Sequence, residues 1–369
     1  MSIYMIYFAA IVTGSFVLAF LARSVPLRRP GGLGQPIPNP IGFIIPAAAF
    51  GIFSGLRNNL GDTVFYIHSY NLIDPETAEE ITFKFEGGIM YPLIQYWCRM
   101  RSEDPYQLIM ITALLACVPI VYIIYKYAYP YEMGIFLYVM TSYYTFSMNG
   151  IRQYAAAGIL ILGTKYLFSE KKYDFIKYLV IILAAWLFHT SALVMIPIYF
   201  VVRRRSWTPF TSFLLLGTIA ATVLFDTFLP QFLGMLEETD YSIYAENGWF
   251  TSGTETGSNI IRVIVLIVPL VLSYMARERM EFIHGRRWDI LVNISIINLA
   301  FYILSLYNWI FARFAIYTSI YPIIMTAWVI EEGFGAERRR LLKGLCIPLY
   351  IVYFWFVRYS IIEYASDLF

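Results

Sequence analysis

The chain has 369 residues, of which 59% are apolar and 14% charged, and its mean hydropathy is +0.62. A soluble domain carries about 25% charged residues, so this composition excludes an ordinary soluble protein. The net charge of +2 is spread over loops and gives no support for nucleic-acid binding, and the three scattered Cys form neither a disulfide framework nor a CxxC metal pair. We expect a protein of the lipid bilayer that uses no metal and no cofactor.

Apolar runs recur along the chain with about the 20 residues that cross the hydrocarbon core of a bilayer. They predict an all-α polytopic membrane protein with about ten transmembrane helices, which together form a single integral domain over residues 1–369. The first run lacks a small-residue cleavage site and predicts a retained helix. In chain order, the predicted crossings lie near residues 3–22, 41–56, 106–126, 131–148, 153–168, 209–229, 259–276, 289–307, 313–330 and 343–362.

The distribution of Lys and Arg predicts the orientation of the chain. Basic residues follow the first and fifth crossings and recur near 203–205, 277–287 and 338–343. The positive-inside rule makes these loops cytoplasmic. The N-terminus is then outside, and two long loops rich in acids, near 57–105 and 230–258, face the exterior.

The apolar segment 174–202 conflicts with this topology if it is one helix. A single crossing would move Arg203–Arg205 outside, against the charge rule. The alternative is a broken, re-entrant pair of half-helices, roughly 175–187 and 191–202, with the break at Phe188–Ser191. Non-helical backbone at membrane depth requires protein or a water-filled cavity around it. We favour the broken pair over the single crossing.

Ionisable residues near membrane depth are costly, and they are usually functional. Arg57 and Asp62 follow the outer end of the second crossing, in a segment where Gly55 and Gly61 permit tight turns. Two interpretations compete. The two charges form a structural ion pair, or Asp62 is a general base beside an anion-binding Arg57.

Two further polar residues stand at the ends of apolar runs. Arg152 begins the fifth crossing, where the N-terminus of a helix already attracts anions. The alternative is an Arg that only extends to the interface. His189 lies at the predicted break, and it is either a functional group or a hydrogen-bonded core residue.

Arg313 lies near the outer end of the crossing at 313–330, and Tyr317 and Tyr321 follow on the same helix face. Three guanidinium groups around a cavity suit a diphosphate, and a carboxylate beside them suits proton abstraction from a hydroxyl. The absence of a P-loop, a GxGxxG and an HExxH motif leaves nucleotide and zinc chemistry without support. The predicted topology brings five polar residues to the outer side: Arg57, Asp62, Arg152, His189 and Arg313.

An ordered set of sequence blocks resembles the EpsG family of Wzy-type bacterial polysaccharide polymerases over roughly residues 50–320. Each block alone is unspecific, whereas their order is specific. The blocks are Gly55-Leu56-Arg57 with Gly61-Asp62-Thr63 and Tyr66, then Phe85-Glu86-Gly87-Gly88, Arg152-Gln153, His189-Thr190-Ser191-Ala192-Leu193, and Arg313-Phe314 with Tyr317. Near Glu86 the chain departs from the Glu-Pro-Gly-Tyr that the family pattern often contains.

The resemblance implies a GT-C-like glycosyltransferase at the extracytoplasmic face of the bacterial inner membrane. Such an enzyme joins undecaprenyl-diphosphate-linked oligosaccharide repeat units, its donor and acceptor, into an exopolysaccharide, capsule or O-antigen chain. Its further partners would be a chain-length regulator or export proteins. The expected catalytic residues are Asp62 and His189, either of which can be the base. The expected diphosphate ligands are Arg57, Arg152 and Arg313, and the supporting residues are Thr63, Tyr66, Glu86, Gln153 and Tyr317.

Two other functions are compatible with the same residues. A transporter or flippase for a lipid-linked or anionic solute would show two related halves with matching broken helices, and the sequence offers no partner for the segment 174–202. A membrane acyltransferase that uses His189 would need a nearby partner motif, which the sequence lacks.

Overall fold

The computed structural model describes residues 3–26, 38–75, 84–225, 227, 258–357 and 364–366, and every regular element in these residues is helical. The predicted outer loop near 230–258 lies outside the described residues, apart from Ser258. The all-α prediction is therefore confirmed for the part of the chain that is described.

The described residues form eighteen α-helices and one 3-10 helix. The first ten are α1 (Ile3–Ser24), α2 (Ile41–Gly55), α3 (Thr63–Asn71), α4 (Met90–Arg99), α5 (Tyr106–Tyr127), α6 (Tyr131–Met140), α7 (Tyr143–Phe146), α8 (Ile151–Ile161), α9 (Thr164–Leu167) and α10 (Asp174–Trp186). After a 3-10 helix (Thr190–Val194) come α11 (Met195–Val202), α12 (Pro209–Val223), α13 (Ile260–Met275), α14 (Arg277–His284), α15 (Arg286–Leu304), α16 (Ile310–Ala315), α17 (Ile320–Glu332) and α18 (Ala336–Val357).

Among the described residues, four helices are long and apolar enough to cross a membrane: α1, α5, α15 and α18. A fifth span results if α13 and α14, which are bent by 77° at their junction, count as one. The prediction of about ten crossings is not confirmed, because several of the predicted runs are interrupted. Ser142 adopts a left-handed conformation with φ of 63° and separates α6 from α7.

The segment 174–202 contains the predicted break. Helix α10 ends at Trp186, residues 187–189 lie outside any helix, and the 3-10 helix precedes α11. The observed break begins one residue earlier than expected and includes His189. Whether the chain returns to the side from which it entered stays a prediction.

The contacts divide the chain into two compact units, residues 1–193 with 330–369 and residues 194–329. In the first unit α5 packs against α2 and α8, and α1 packs against α2 and α6. Helices α5 and α8 approach closely because Gly158 has no side chain: a Cβ there would lie 2.0 Å from the carbonyl oxygen of Leu115. This packing fixes the ends of α2 and α8, from which the candidate site is built.

The second unit is organised around α15, which packs against α11, α12, α13 and α16. Its buried Asn298 donates hydrogen bonds to the carbonyl oxygen of Ala315, at 3.1 Å, and to Thr318 Oγ1, at 2.9 Å. These bonds satisfy the backbone and hydroxyl groups at the end of α16 in an otherwise apolar interior.

Candidate active site

The loop between α2 and α3 contains Arg57, and the structure places this side chain in the interior. Its exposed fraction is 0%. Nε donates to Thr63 Oγ1 at 2.9 Å, and Nη1 donates to the carbonyl oxygen and the hydroxyl of Ser54. The guanidinium thus ties the start of the loop to the start of α3.

The charge of Arg57 is not balanced by an acid. In the described part of the chain, none of its contacts is a carboxylate, and Nη2 has no hydrogen-bond partner. The proposed ion pair with Asp62 therefore does not form. Burial lowers the pKa of Arg57 to about 10, so the side chain remains charged at neutral pH. A buried cation of this kind is costly, and it points to a role other than stability.

Asp62 lies at the other end of the loop, immediately before α3, and is partly exposed. Its backbone N–H donates to Asn149 Oδ1 at 3.1 Å, and its carboxylate makes no capping bond to α3. Gly61 allows this approach, because its φ is +57° and a Cβ would lie 3.0 Å from Asn149. The backbone of Asp62 is thereby held next to the turn that precedes α8.

Arg152 lies in the first turn of α8 and is exposed. Its guanidinium lies over the ring of Tyr91, 5.4 Å from the ring centroid, and a Cβ on Gly88 would lie 3.0 Å from Nη2. Gly88 also has φ of +86°, a conformation that favours glycine. The Gly87-Gly88 block therefore forms one wall beside the Arg152 guanidinium.

The same glycine block is bound to the helix break. The amide of Gly88 donates to the carbonyl oxygen of Trp186 at 3.0 Å, and the amide of Met90 donates to that of Leu187 at 2.8 Å. The last carbonyl groups of a helix lack partners within the helix, and here the loop before α4 supplies them. A Cβ on Gly87 would lie 2.5 Å from Thr190 Cγ2, so only glycine fits this contact.

His189 follows directly, and its hydrogen bonds define its tautomer. The backbone N–H of Ser191 donates to Nδ1 at 3.3 Å, and the Ser191 hydroxyl lies 2.7 Å from the same nitrogen. Because Nδ1 accepts, a neutral His189 carries its proton on Nε2. Gln153 Nε2 donates to the Ser191 hydroxyl at 3.2 Å, which connects α8 to the break.

Four separated sequence blocks thus meet in the first unit: the loop after α2, the glycine block, the start of α8 and the break after α10. They bring together Asp62, Arg152, Gln153 and His189 through the contacts above, with Thr63 and Tyr66 at the start of α3. Glu86 is exposed beside the glycine block. The described residues contain no group of His, Cys, Asp or Glu side chains that could hold a metal ion.

Sequence reasoning missed Tyr91 as a site residue. Its ring lies 5.6 Å from that of Tyr66 and beneath Arg152, and its buried hydroxyl has no hydrogen-bond partner in the described part of the chain. Burial raises the pKa of Tyr91, which keeps the phenol protonated. Its position three residues after Gly88 was the available signal, but a Tyr in an apolar run is also typical of an interfacial aromatic.

Arg313 and Tyr317 belong to the second unit. The Arg313 guanidinium lies 4.8 Å from the centroid of the Trp309 ring, and Tyr317 is buried. The prediction that Arg313, Tyr317 and Tyr321 share the face of one helix is wrong, because α16 ends at Ala315 and α17 begins at Ile320. The part of Arg313 and Tyr317 in the site stays a prediction.

Fold and site define the class of the protein: a helical membrane protein with a cluster of acid, arginine and histidine side chains built from separated blocks. The chain belongs to the EpsG family, whose profile matches residues 41–366, and the proteins of this family are polysaccharide polymerase-like membrane proteins. The family resemblance predicted from the ordered blocks is confirmed. No curated protein and no solved structure matches the chain.

Proposed function

We propose that this protein is a polyprenyl-diphosphate-dependent glycosyltransferase that polymerises oligosaccharide repeat units. Its donor and acceptor would be undecaprenyl-diphosphate-linked glycans, at the extracytoplasmic face of the bacterial inner membrane. The family indicates a glycosyltransferase-like polymerase of exopolysaccharide biosynthesis. The observation that carries the proposal is the direct linkage of the Asp62, Arg152 and His189 blocks in one unit.

The reaction needs a base for the acceptor hydroxyl and a leaving group that departs from the anomeric carbon as an anion. In the proposed step, Asp62 takes the proton from an acceptor hydroxyl, and that oxygen forms a bond to the anomeric carbon of the donor. The bond between the anomeric carbon and the diphosphate oxygen breaks, and the lipid diphosphate leaves with the electron pair. Asp62 is favoured over His189 as the base, because His189 accepts at Nδ1 and so presents a proton at Nε2.

Charge on the leaving diphosphate would be stabilised mainly by Arg152. Its exposed guanidinium can make paired hydrogen bonds to phosphate oxygens. His189 would add a hydrogen bond from Nε2, in the orientation imposed by Ser191 and Gln153. The roles of Arg313 as a diphosphate ligand and of Tyr317 as a supporting residue rest on the family resemblance alone. The proposed architecture is GT-C-like, with the N-terminus outside.

Arg57 is better explained as a positioning residue than as a diphosphate ligand. Its side chain is fully buried and holds Ser54 to Thr63, so it sets the course of the loop that presents Asp62. Thr63 would act through this same bond. Tyr66 would support Tyr91 and Arg152, and Glu86 would lie near the acceptor.

Replacing Arg57 with Met tests separately whether Arg57 positions the loop and whether it stabilises the fold. We expect Arg57→Met to fold with an unfolding midpoint equal to or above that of the wild type, because removing an unpaired buried charge offsets the lost hydrogen bonds. Polymer formation should fall at least about tenfold, since the loop is no longer tied to Thr63. The measurements are thermal unfolding in detergent and polymer yield in membranes. Unchanged polymer yield would show that Arg57 has no role in the site.

The proposed function is tested directly with purified protein and a lipid-diphosphate-linked repeat unit. Longer chains on a gel, together with release of the free lipid diphosphate, are expected. Vesicles that contain the protein and a labelled lipid-linked unit provide the second arm. Movement of the label across the bilayer without any lengthening would contradict the polymerase and support the transporter.

A further inference from the structure

The last described residues of the chain lie against the loop that contains Arg57. The ring of Tyr364 stacks on that of Phe53, with centroids 4.2 Å apart, and its hydroxyl donates to the carbonyl oxygen of Phe53 at 2.7 Å. Next to it, the amide of Asn58 donates to the carbonyl oxygen of Ala365 at 3.0 Å. The amide of Ala365 donates to Asn59 Oδ1 at 2.9 Å. We call residues Tyr364–Ser366 the C-terminal strap.

The loop requires these partners because it has no regular structure of its own. Backbone N–H and C=O groups away from water must be hydrogen-bonded, and the amide of Asn58 finds its acceptor in the strap. Arg57 immediately precedes Asn58, and Asp62 follows a few residues later. The strap therefore holds the loop from one side while the Arg57 guanidinium holds it from within.

The strap is itself anchored in the first unit. The Tyr4 hydroxyl of α1 donates to the carbonyl oxygen of Ser366 at 3.1 Å, and the rings of Tyr4 and Tyr364 lie 5.6 Å apart. The EpsG profile extends to residue 366 and starts only at residue 41. The strap is thus inside the matched region, whereas Tyr4, which anchors it, lies before that region.

We propose that the C-terminal strap positions the loop of Arg57 and Asp62 for catalysis, with Tyr364 as its main positioning residue. The inference rests on the proposed function in that it assigns the strap to the same site. Tyr364 does so through two separable contacts, a ring stack and a hydrogen bond, both of them with Phe53 at the end of α2.

The first arm of the test does not depend on catalysis. Hydrogen exchange is measured by mass spectrometry on the detergent-purified full chain, for peptides covering residues 56–63 and 90–99. In Tyr364→Ala, exchange in 56–63 should rise at least about tenfold, with no change in 90–99. Tyr364→Phe keeps the stack and loses one hydrogen bond, so its rise should stay within about fivefold.

A matched control is the exposed aromatic residue Phe356 on α18. Phe356→Ala also removes a ring near the end of the chain but touches none of the loop residues, and it should leave exchange in 56–63 unchanged. Equal exchange in wild type and Tyr364→Ala would overturn the proposal that the strap holds the loop. A rise over the whole protein would also overturn it, since the effect would then be general unfolding.

The second arm measures chain lengthening with the lipid-linked repeat unit. For Tyr364→Ala the kcat should fall about tenfold or more while KM stays within about twofold, because Arg152 still binds the diphosphate. Tyr364→Phe should restore most of the kcat. If no variant, including wild type, lengthens chains, the proposed function fails. The exchange experiment still decides whether the strap holds the loop. Loop exchange that rises without loss of kcat would contradict the positioning role.

Discussion

Asp62→Asn is expected to abolish polymer formation while the protein remains folded and inserted. The amide retains the size of the side chain and the backbone bond to Asn149, but it cannot take a proton from an acceptor hydroxyl. Loss of a general base costs about 10² to 10⁴ in rate, so no polymer should be visible above the background. The measurement is polymer length in a strain that lacks its own copy of the gene.

The matched control for this prediction is Glu103→Gln. Glu103 is an exposed acid in the loop before α5, without a role in the proposed site, and its replacement should leave polymer length unchanged. Protein levels in membranes must be equal for all variants. Full-length polymer from Asp62→Asn would exclude Asp62 as the base and direct attention to His189.

Arg152→Ala is expected to lower the rate of chain lengthening by about a hundredfold or more, since an arginine fork on a leaving phosphate stabilises charge that develops in the transition state. Arg152→Lys keeps the charge without the planar fork and should recover only part of this loss. The measurement is the initial rate with the lipid-linked repeat unit, together with the affinity for free lipid diphosphate.

Arg101 provides the control for Arg152. It is also exposed, and it also lies over an aromatic ring, with 3.9 Å between its guanidinium and the centroid of the Trp97 ring. Arg101→Ala should leave the rate unchanged. A similar loss in both variants would show that general positive charge matters, and not a specific diphosphate contact at the start of α8.

Composition and the order of short blocks were sufficient to predict a helical membrane protein and its family. The break at His189 was also predictable, because a single helix conflicts with the position of the basic triplet. These features follow from local composition and from the distribution of charge along the chain. They do not depend on which distant residues come into contact.

Other features depend on tertiary contacts and could not be predicted. The left-handed Ser142 interrupts the predicted crossing 131–148, which is one reason why the predicted number of crossings is not confirmed. Arg57 was expected to face a ligand, yet Ser54 and Thr63 turn it inward. Tyr364 resembles the many interfacial tyrosines of the chain, and only the structure reveals its stack on Phe53.

The contact between Ala365 and Asn59 joins residues 306 positions apart. Translation proceeds from the N-terminus, and the early part of a chain folds first. The loop beside Asp62 therefore cannot complete its hydrogen bonds until Ala365 has been synthesised. A polypeptide that stops before residue 364 would lack these bonds, and under the proposed function it would make no polymer.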